Sequence, residues 1–235
     1  MGDGTSSVDR APRWPSGSLL GALTPSQQRN LIGLGTQHTV DRGEILIHEG
    51  AGDRTVYLLL RGAVKVVSTS AAGCSVLLAV RLEGDVVGEL AALDDLPRSA
   101  TVVAAARTTY RRIGHEDFTA HLVGDPALNV LVHRSVVAKL RQATRMRSDT
   151  NSASTLVRLA RVLTQLGDRY GRPTLAGRLL DLHLTQAELA GLIGIGEASV
   201  ERALKELRRR GLVQTSYRQV VLRDVARLRK LAASR

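Results

Sequence analysis

The stretch Gly84-Asp85-Val86-Val87-Gly88-Glu89-Leu90-Ala91, continued by Pro97-Arg98-Ser99-Ala100, gathers the residue types that hold a small anion. Gly88 permits close backbone approach, the short helical run after it can turn N–H groups toward negative charge, and an arginine precedes the next strand. Two readings are open. Glu89 and Arg98 could form a structural ion pair, or Arg98 could take the charge of a compact anion while Glu89 holds a hydroxyl beside it.

A second set lies toward the C-terminus. Thr185 and Glu188 stand at capping-box spacing, glycines interrupt the helix between Gly191 and Gly196, and helical periodicity resumes from Glu197 to Arg210 before Gly211. Two helices joined by such a turn make a helix-turn-helix, and Leu212–Thr215 with Gln219–Arg223 form a small hairpin, the wing. The second helix is expected to enter the major groove of double-stranded DNA. Glu197 would accept from a cytosine amino group, Arg202 would meet a guanine or a phosphate, and Gln186, Ser199 and Lys205 would contact phosphates. Charge agrees with this: residues 1–150 carry 17 Lys/Arg against 15 Asp/Glu, whereas residues 151–235 carry 16 against 7. A basic module attached to a near-neutral one points to a phosphate-backbone partner, although a merely solvated arginine-rich surface has the same composition.

Both sets need a scaffold. Residues 1–23 are Gly, Ser and Pro-rich and read as a disordered start with a lead-in; Thr24-Pro25-Ser26-Gln27 then caps a short helix to about Leu34. From Thr39 to Ile113 come the β-rich runs Ile45–His48, Val56–Leu60, Ala63–Ser68, Ser75–Val80, Thr101–Ala105 and Thr109–Ile113, punctuated by glycine, which predict a small sandwich or jelly roll. Asp125-Pro126 opens a long helix to about Arg147, with Leu128, Val132, Val136, Leu140 and Ala143 in one apolar stripe wide enough to touch its own barrel and a second copy. Ser148–Ser152 is a polar hinge, followed by a helix over Ala153–Tyr170. The expected fold is α+β: a flexible 1–19, a β jelly roll over 20–124, a dimerisation helix and hinge over 125–152, and a winged helix-turn-helix over 153–235.

The G-E-L-A…P-R-S-A pattern resembles the phosphate-binding cassette of cyclic-nucleotide-binding domains. With the long helix and the winged module, the chain from about Leu20 to Leu231 is similar to the Crp/Fnr-type bacterial transcription regulators, nearest their cAMP-receptor branch. The resemblance implies a homodimeric regulator with a cyclic nucleotide, cAMP first among them, as allosteric ligand; the alternatives are a regulator of the same fold that is ligand-independent or senses another nucleotide, and a nucleotide-sensing protein-interaction module, against which the charge of the winged part argues. It gives Gly88 and Leu90 backbone contacts, Glu89 the ribose 2′-hydroxyl, Arg98 with Ser99 the cyclic phosphate, and Lys139 a place near the sugar and phosphate. The family's adenine-facing Thr-Ser pair falls on Ala143 and Thr144, so one hydroxyl is absent. Gly196-Glu197-Ala198-Ser199-Val200 replaces the family's Ser-Arg-Glu-Thr/Ser-Val, so the preferred operator is expected to differ. RNA polymerase is a further partner of such regulators.

Other chemistry is poorly supplied. The single cysteine, Cys74, cannot close an intrachain disulfide or hold a cluster alone, and the six histidines lack metal-ligand spacing. No Ser/His/Asp or Cys/His set asks for an enzymatic reading. Six aromatic residues are too few to stack unpaired bases, which disfavours single-stranded nucleic acid. No apolar run of membrane length or signal-peptide pattern is seen, and the expected location is the cytoplasm.

Overall fold

The computed structural model describes residues 14–15, 17–69, 75–148, 153–217 and 219–234. The expected flexible start up to residue 13, Cys74 and hinge residues 149–152 lie outside the described residues. In chain order the elements are α1 (Leu19–Ala22), α2 (Pro25–Gly33), β1 (Thr36–Val40), β2 (Ile45–Ile47), β3 (Val56–Arg61), β4 (Ala63–Thr69), β5 (Ser75–Leu82) and β6 (Val86–Val87). Then follow α3 (Glu89–Asp94), β7 (Thr101–Ala104), β8 (Thr108–Ile113), α4 (His115–Gly124) and α5 (Pro126–Ser148). The C-terminal part comprises α6 (Thr155–Tyr170), β9 (Arg172–Thr174), β10 (Gly177–Leu180), α7 (Gln186–Ile193), α8 (Glu197–Arg209), β11 (Val213–Ser216), β12 (Gln219–Leu222) and α9 (Val225–Ala232).

The β-rich part is a jelly-roll-like sandwich of two antiparallel sheets, in orders β1-β8-β3-β6 and β2-β7-β4-β5. Strand alternation explains how β3 is buried on both faces. Tyr57 and Leu59 face Val64, Val87 and Val102 inside the sandwich, while Val56 and Leu58 pack outward on Leu20, Phe118, Leu122, Leu128 and Val132 of the covering helices. All six expected strands form. The capping box at Thr24 and Gln27 forms as well, with Pro25 at the first helical position.

At the end of the stretch expected to be flexible, 1–19, Leu19 is buried in α1, and with Leu20 and Leu23 of the lead-in it packs into the core under the covering helices. The stripe of the long helix divides between two faces. Leu128 is 0% exposed and, with Val132, belongs to its own chain's core, whereas Leu140 is 65% exposed. The outward apolar face is Val130, Val137 and Leu140. Asp125 fastens the start of α5, accepting from Leu128 N at 2.9 Å and from Gln27 Nε2 at 3.0 Å. These bonds, the Leu128 amide first, hold its carboxyl below the ordinary carboxylate range.

The winged module docks on the outer face of β4 and β5. Leu77 and Val80 join the core made by α6, α7 and α8, and Gly191 of α7 passes so close that a Cβ there would lie 3.0 Å from Leu77 N. Lys65 Nζ reaches Glu188 Oε1 at 2.7 Å and the His183 carbonyl at 2.8 Å. Tyr170 donates its hydroxyl to Val80 O at 2.9 Å, and burial pushes that phenol up to about 12.

Candidate functional site: an anion cassette tied to a DNA-reading module

The cassette begins where β6 ends. Gly88 has φ +82°, and a Cβ on it would stand 2.7 Å from Arg98 Nη1 and 2.8 Å from Thr55 O, so both the backbone angle and the approach of the arginine require glycine. Gly88 caps α3, whose first residue, Glu89, is buried. Leu90 and Ser99 are exposed at the rim.

Arg98 is 2% exposed along its side chain. Its Nη1 donates to Gly88 O at 2.8 Å, its Nη2 to Asp53 Oδ1 at 2.5 Å and Thr55 O at 2.6 Å, and its Nε to Asp53 Oδ2 at 3.3 Å. These four bonds use four of the five guanidinium N–H groups, leaving one on Nη1. A bidentate phosphate therefore has to displace a carboxylate oxygen or a carbonyl. The Asp53 carboxylate is half exposed and is held below its ordinary range chiefly by the hydrogen bond from Arg98. Sequence reasoning missed Asp53 and Thr55. A glycine-flanked acid is a signal for a turn, and nothing in the sequence pairs it with an arginine 45 positions later.

Glu89 does not pair with Arg98. Lys139 of α5 donates to Glu89 Oε1 at 2.7 Å and to Val86 O at 2.7 Å, which ties the cassette to the long helix. Lys139, placed near the sugar and phosphate by the resemblance, meets the cassette here through Glu89 and Val86. Thr144 stands exposed just over one turn further on, its hydroxyl donating to Leu140 O at 3.0 Å.

In the C-terminal module, Thr185 and Glu188 make the reciprocal capping box. Gly194 in the left-handed region (φ +63°) turns the chain, and α8 buries Val200, Ala203, Leu204 and Leu207 against α6 and α7. That leaves Glu197, Arg202 and Lys205 exposed on one side of α8, with Ser199 half-buried and Gln186 exposed at the start of α7. Arg202 folds back along its own helix, its Nη2 3.1 Å from Ser199 Oγ. The arginines at the helix end are committed otherwise. Arg209 and Arg210 both bind Glu206 at 2.7 Å, which pulls its carboxyl down to about 2, and Arg208 donates to Thr215 Oγ1 of the wing at 2.9 Å. The wing itself pairs Val213 with Leu222 and Ser216 with Gln219, and Tyr217 projects from its tip.

An anion cassette in a jelly roll, tied by a long helix to a winged helix-turn-helix, defines a ligand-sensing, DNA-binding class of protein. Residues 37–123 match the cyclic nucleotide-binding domain family, and residues 157–231 match the Crp-like helix-turn-helix domain family. The CRP-like cAMP-activated global transcriptional regulator of Mycobacterium tuberculosis is 26% identical over 192 residues, covering 81% of this chain and 85% of the relative. A CRP-family transcriptional regulator from Thermus thermophilus superposes with a TM-score of 0.71 at 26% identity, over 84% of this chain and 97% of the other. The c-di-GMP-responsive global regulator of Xanthomonas campestris shares the fold, with a TM-score of 0.71 at 20% identity over 86% and 100% of the two chains. The chain belongs to the Crp/Fnr-type family of transcription regulators: it carries a cyclic nucleotide-binding domain and a DNA-binding Crp-like helix-turn-helix.

Proposed function

We propose that this regulator acts as a homodimer in the cytoplasm and that cAMP, bound at Arg98, controls its affinity for double-stranded DNA. The observation that carries this reading is the Lys139–Glu89 ion pair, which joins the cassette to the helix between the two modules. A cyclic phosphate would take Arg98, Ser99 and the backbone at Gly88 and Leu90. Its ribose hydroxyl would compete with Lys139 for Glu89, so occupancy is felt on α5. The second copy covers Val130, Val137 and Leu140 and brings two recognition helices to the spacing of successive major grooves. On DNA, Glu197 and Arg202 read bases, and Gln186, Ser199 and Lys205 hold phosphates. In this reading residues 20–124 sense the ligand, 125–152 dimerise and 153–235 read DNA, with RNA polymerase as a further partner.

Ala143 favours a second reading, in which the same cassette takes another nucleotide, because a methyl group beside Thr144 offers a base one hydroxyl fewer. Calorimetric titration with cAMP, cGMP and cyclic di-GMP, followed by DNA binding with and without the tightest of them, separates the two. Arg98→Leu should lose on the order of 2–5 kcal/mol of nucleotide binding as the charge-assisted contact disappears. Unchanged affinity in that variant would place the ligand elsewhere.

A further inference from the structure

A cavity of about 440 Å³ lies between α5, the loop after β5, the N-terminal helix and α6, and its walls carry Arg81, Arg134, Lys139, Arg169, Ser135 and one acid, Asp85. Gly88, Glu89 and Arg98 do not line it, so it is distinct from the anion-holding end of the cassette, with which it shares Lys139. Arg81 is the unusual member. It is 9% exposed, and its hydrogen bond is Nη1 to the carbonyl of its own neighbour, Val80, at a long 3.3 Å.

Among the described residues no carboxylate forms an ion pair with Arg81, Arg134 or Arg169. Asp85 turns its Oδ2 to Leu82 N at 3.1 Å, and Lys139 is already engaged by Glu89. Three arginines therefore face one carboxylate across the cavity. Arg134 and Arg169 stand exposed at the rim, where water reaches them and Arg169 Nη2 lies 3.5 Å from Gly17 O, whereas Arg81 is buried and, as a guanidinium, cannot shed its charge; an anion seated on it would meet all three.

We propose that this cavity is a second ligand site, which binds a small polyanion bearing phosphate or carboxylate groups. Arg81 is its buried anchor, Arg134 and Arg169 close over the charge from α5 and α6, and Ser135 offers a hydroxyl. The volume exceeds that of a single phosphate and suits a metabolite with two or more anionic groups. Because Lys139 forms part of the wall, an occupant lies beside the residue that joins the cassette to the long helix. The proposal goes beyond the cyclic-nucleotide reading and stands without it.

Trp14, the chain's single tryptophan, provides the readout: it packs beside Gly84 and Ser18, and Ser18 lines the cavity. Fluorescence titration of the full chain with inorganic pyrophosphate, and separately with citrate, should show saturable binding of at least one, and the preferred probe tells phosphate from carboxylate. Arg81→Met should weaken that binding by about tenfold or more, and Arg98→Leu should leave it unchanged. Arg134→Gln, at an exposed position, should weaken it by about threefold and serves if Arg81→Met does not fold. Absence of saturation at millimolar concentrations of both probes, binding indifferent to the Arg81 and Arg134 variants, or binding lost in Arg98→Leu, which would place the probe in the cassette, overturns the proposal. cAMP titration of Arg81→Met reports separately on the cassette, where affinity should be retained.

Discussion

Asp53 grips Arg98 with both oxygens, Oδ1 lying 2.5 Å from Nη2 and Oδ2 3.3 Å from Nε. The guanidinium that a cyclic phosphate would use is thus occupied by a carboxylate that water can rehydrate once released. Asp53→Asn should tighten nucleotide binding by about two- to fivefold, the size of a partly exposed ion pair. Weaker binding in calorimetry would show that Asp53 aims the guanidinium rather than competing for it. The same pair gives a pH signature. The Asp53 carboxyl is held below its ordinary 3.8, so its contribution to stability is present above that value and is lost as pH falls through the folded one. The stability gap between wild type and Asp53→Asn should therefore be present at neutral pH and close on acidification, as read by denaturant titration.

Lys139 is the only side chain of the long helix whose ion pair reaches the cassette among the described residues. Lys139→Met should reduce the factor by which nucleotide changes DNA affinity more than it reduces nucleotide affinity itself, because coupling and binding are different free energies. DNA titrations with and without nucleotide, set beside calorimetry of the same variant, make the comparison. An undiminished coupling factor would remove Lys139 from the path.

The two ends of the α5 stripe should behave differently. Leu140→Glu puts a charge into the proposed seam and should yield a folded monomer in sedimentation, whereas Leu128→Glu buries a charge in the chain's own core and should unfold the barrel. A folded monomer from Leu128→Glu, or a dimer from Leu140→Glu, would reverse this assignment of faces.

On the recognition helix, Arg202→Ala should cost about 1–3 kcal/mol and relax one base position. To read a base, Arg202 must first leave Ser199. Lys205→Ala should weaken binding to all sequences alike and lower the salt-dependence slope by about one. Site selection with Glu197→Arg should return a different half-site; an unchanged one would mean that Glu197 faces solvent and serves the helix dipole.

Much of this was legible in the residues. Glycine-bounded β runs, two capping boxes and the Gly194 turn are local signals, and the structure forms an element at each. What the sequence could not display were pairings between distant segments. The Asp53–Arg98 grip, the docking of Gly191 on Leu77 and the burial of Leu19 and Leu20 each join stretches with no shared period. For the same reason Glu89 was open to pairing with Arg98, nearby in sequence, whereas in space it meets Lys139. The helix α4, absent from the expected elements, does carry a signature: Glu116 and Asp117 in its first turn, with Phe118 and Leu122 four apart. The split of the α5 stripe between core and outer face depends on where the barrel ends, which periodicity does not encode.

One ligand in the cassette and one DNA site should communicate through α5, and linkage makes that communication measurable. Nucleotide affinity should be determined by calorimetry for the protein alone and for the protein saturated with a duplex recovered by site selection. If nucleotide favours the DNA-binding arrangement, the DNA-bound protein must bind nucleotide more tightly, by the same factor by which nucleotide tightens DNA binding. We predict a factor of about 5–150, the usual range of such couplings. Equal nucleotide affinity with and without the duplex would rule out this coupling and leave the two modules as independent binders on one chain.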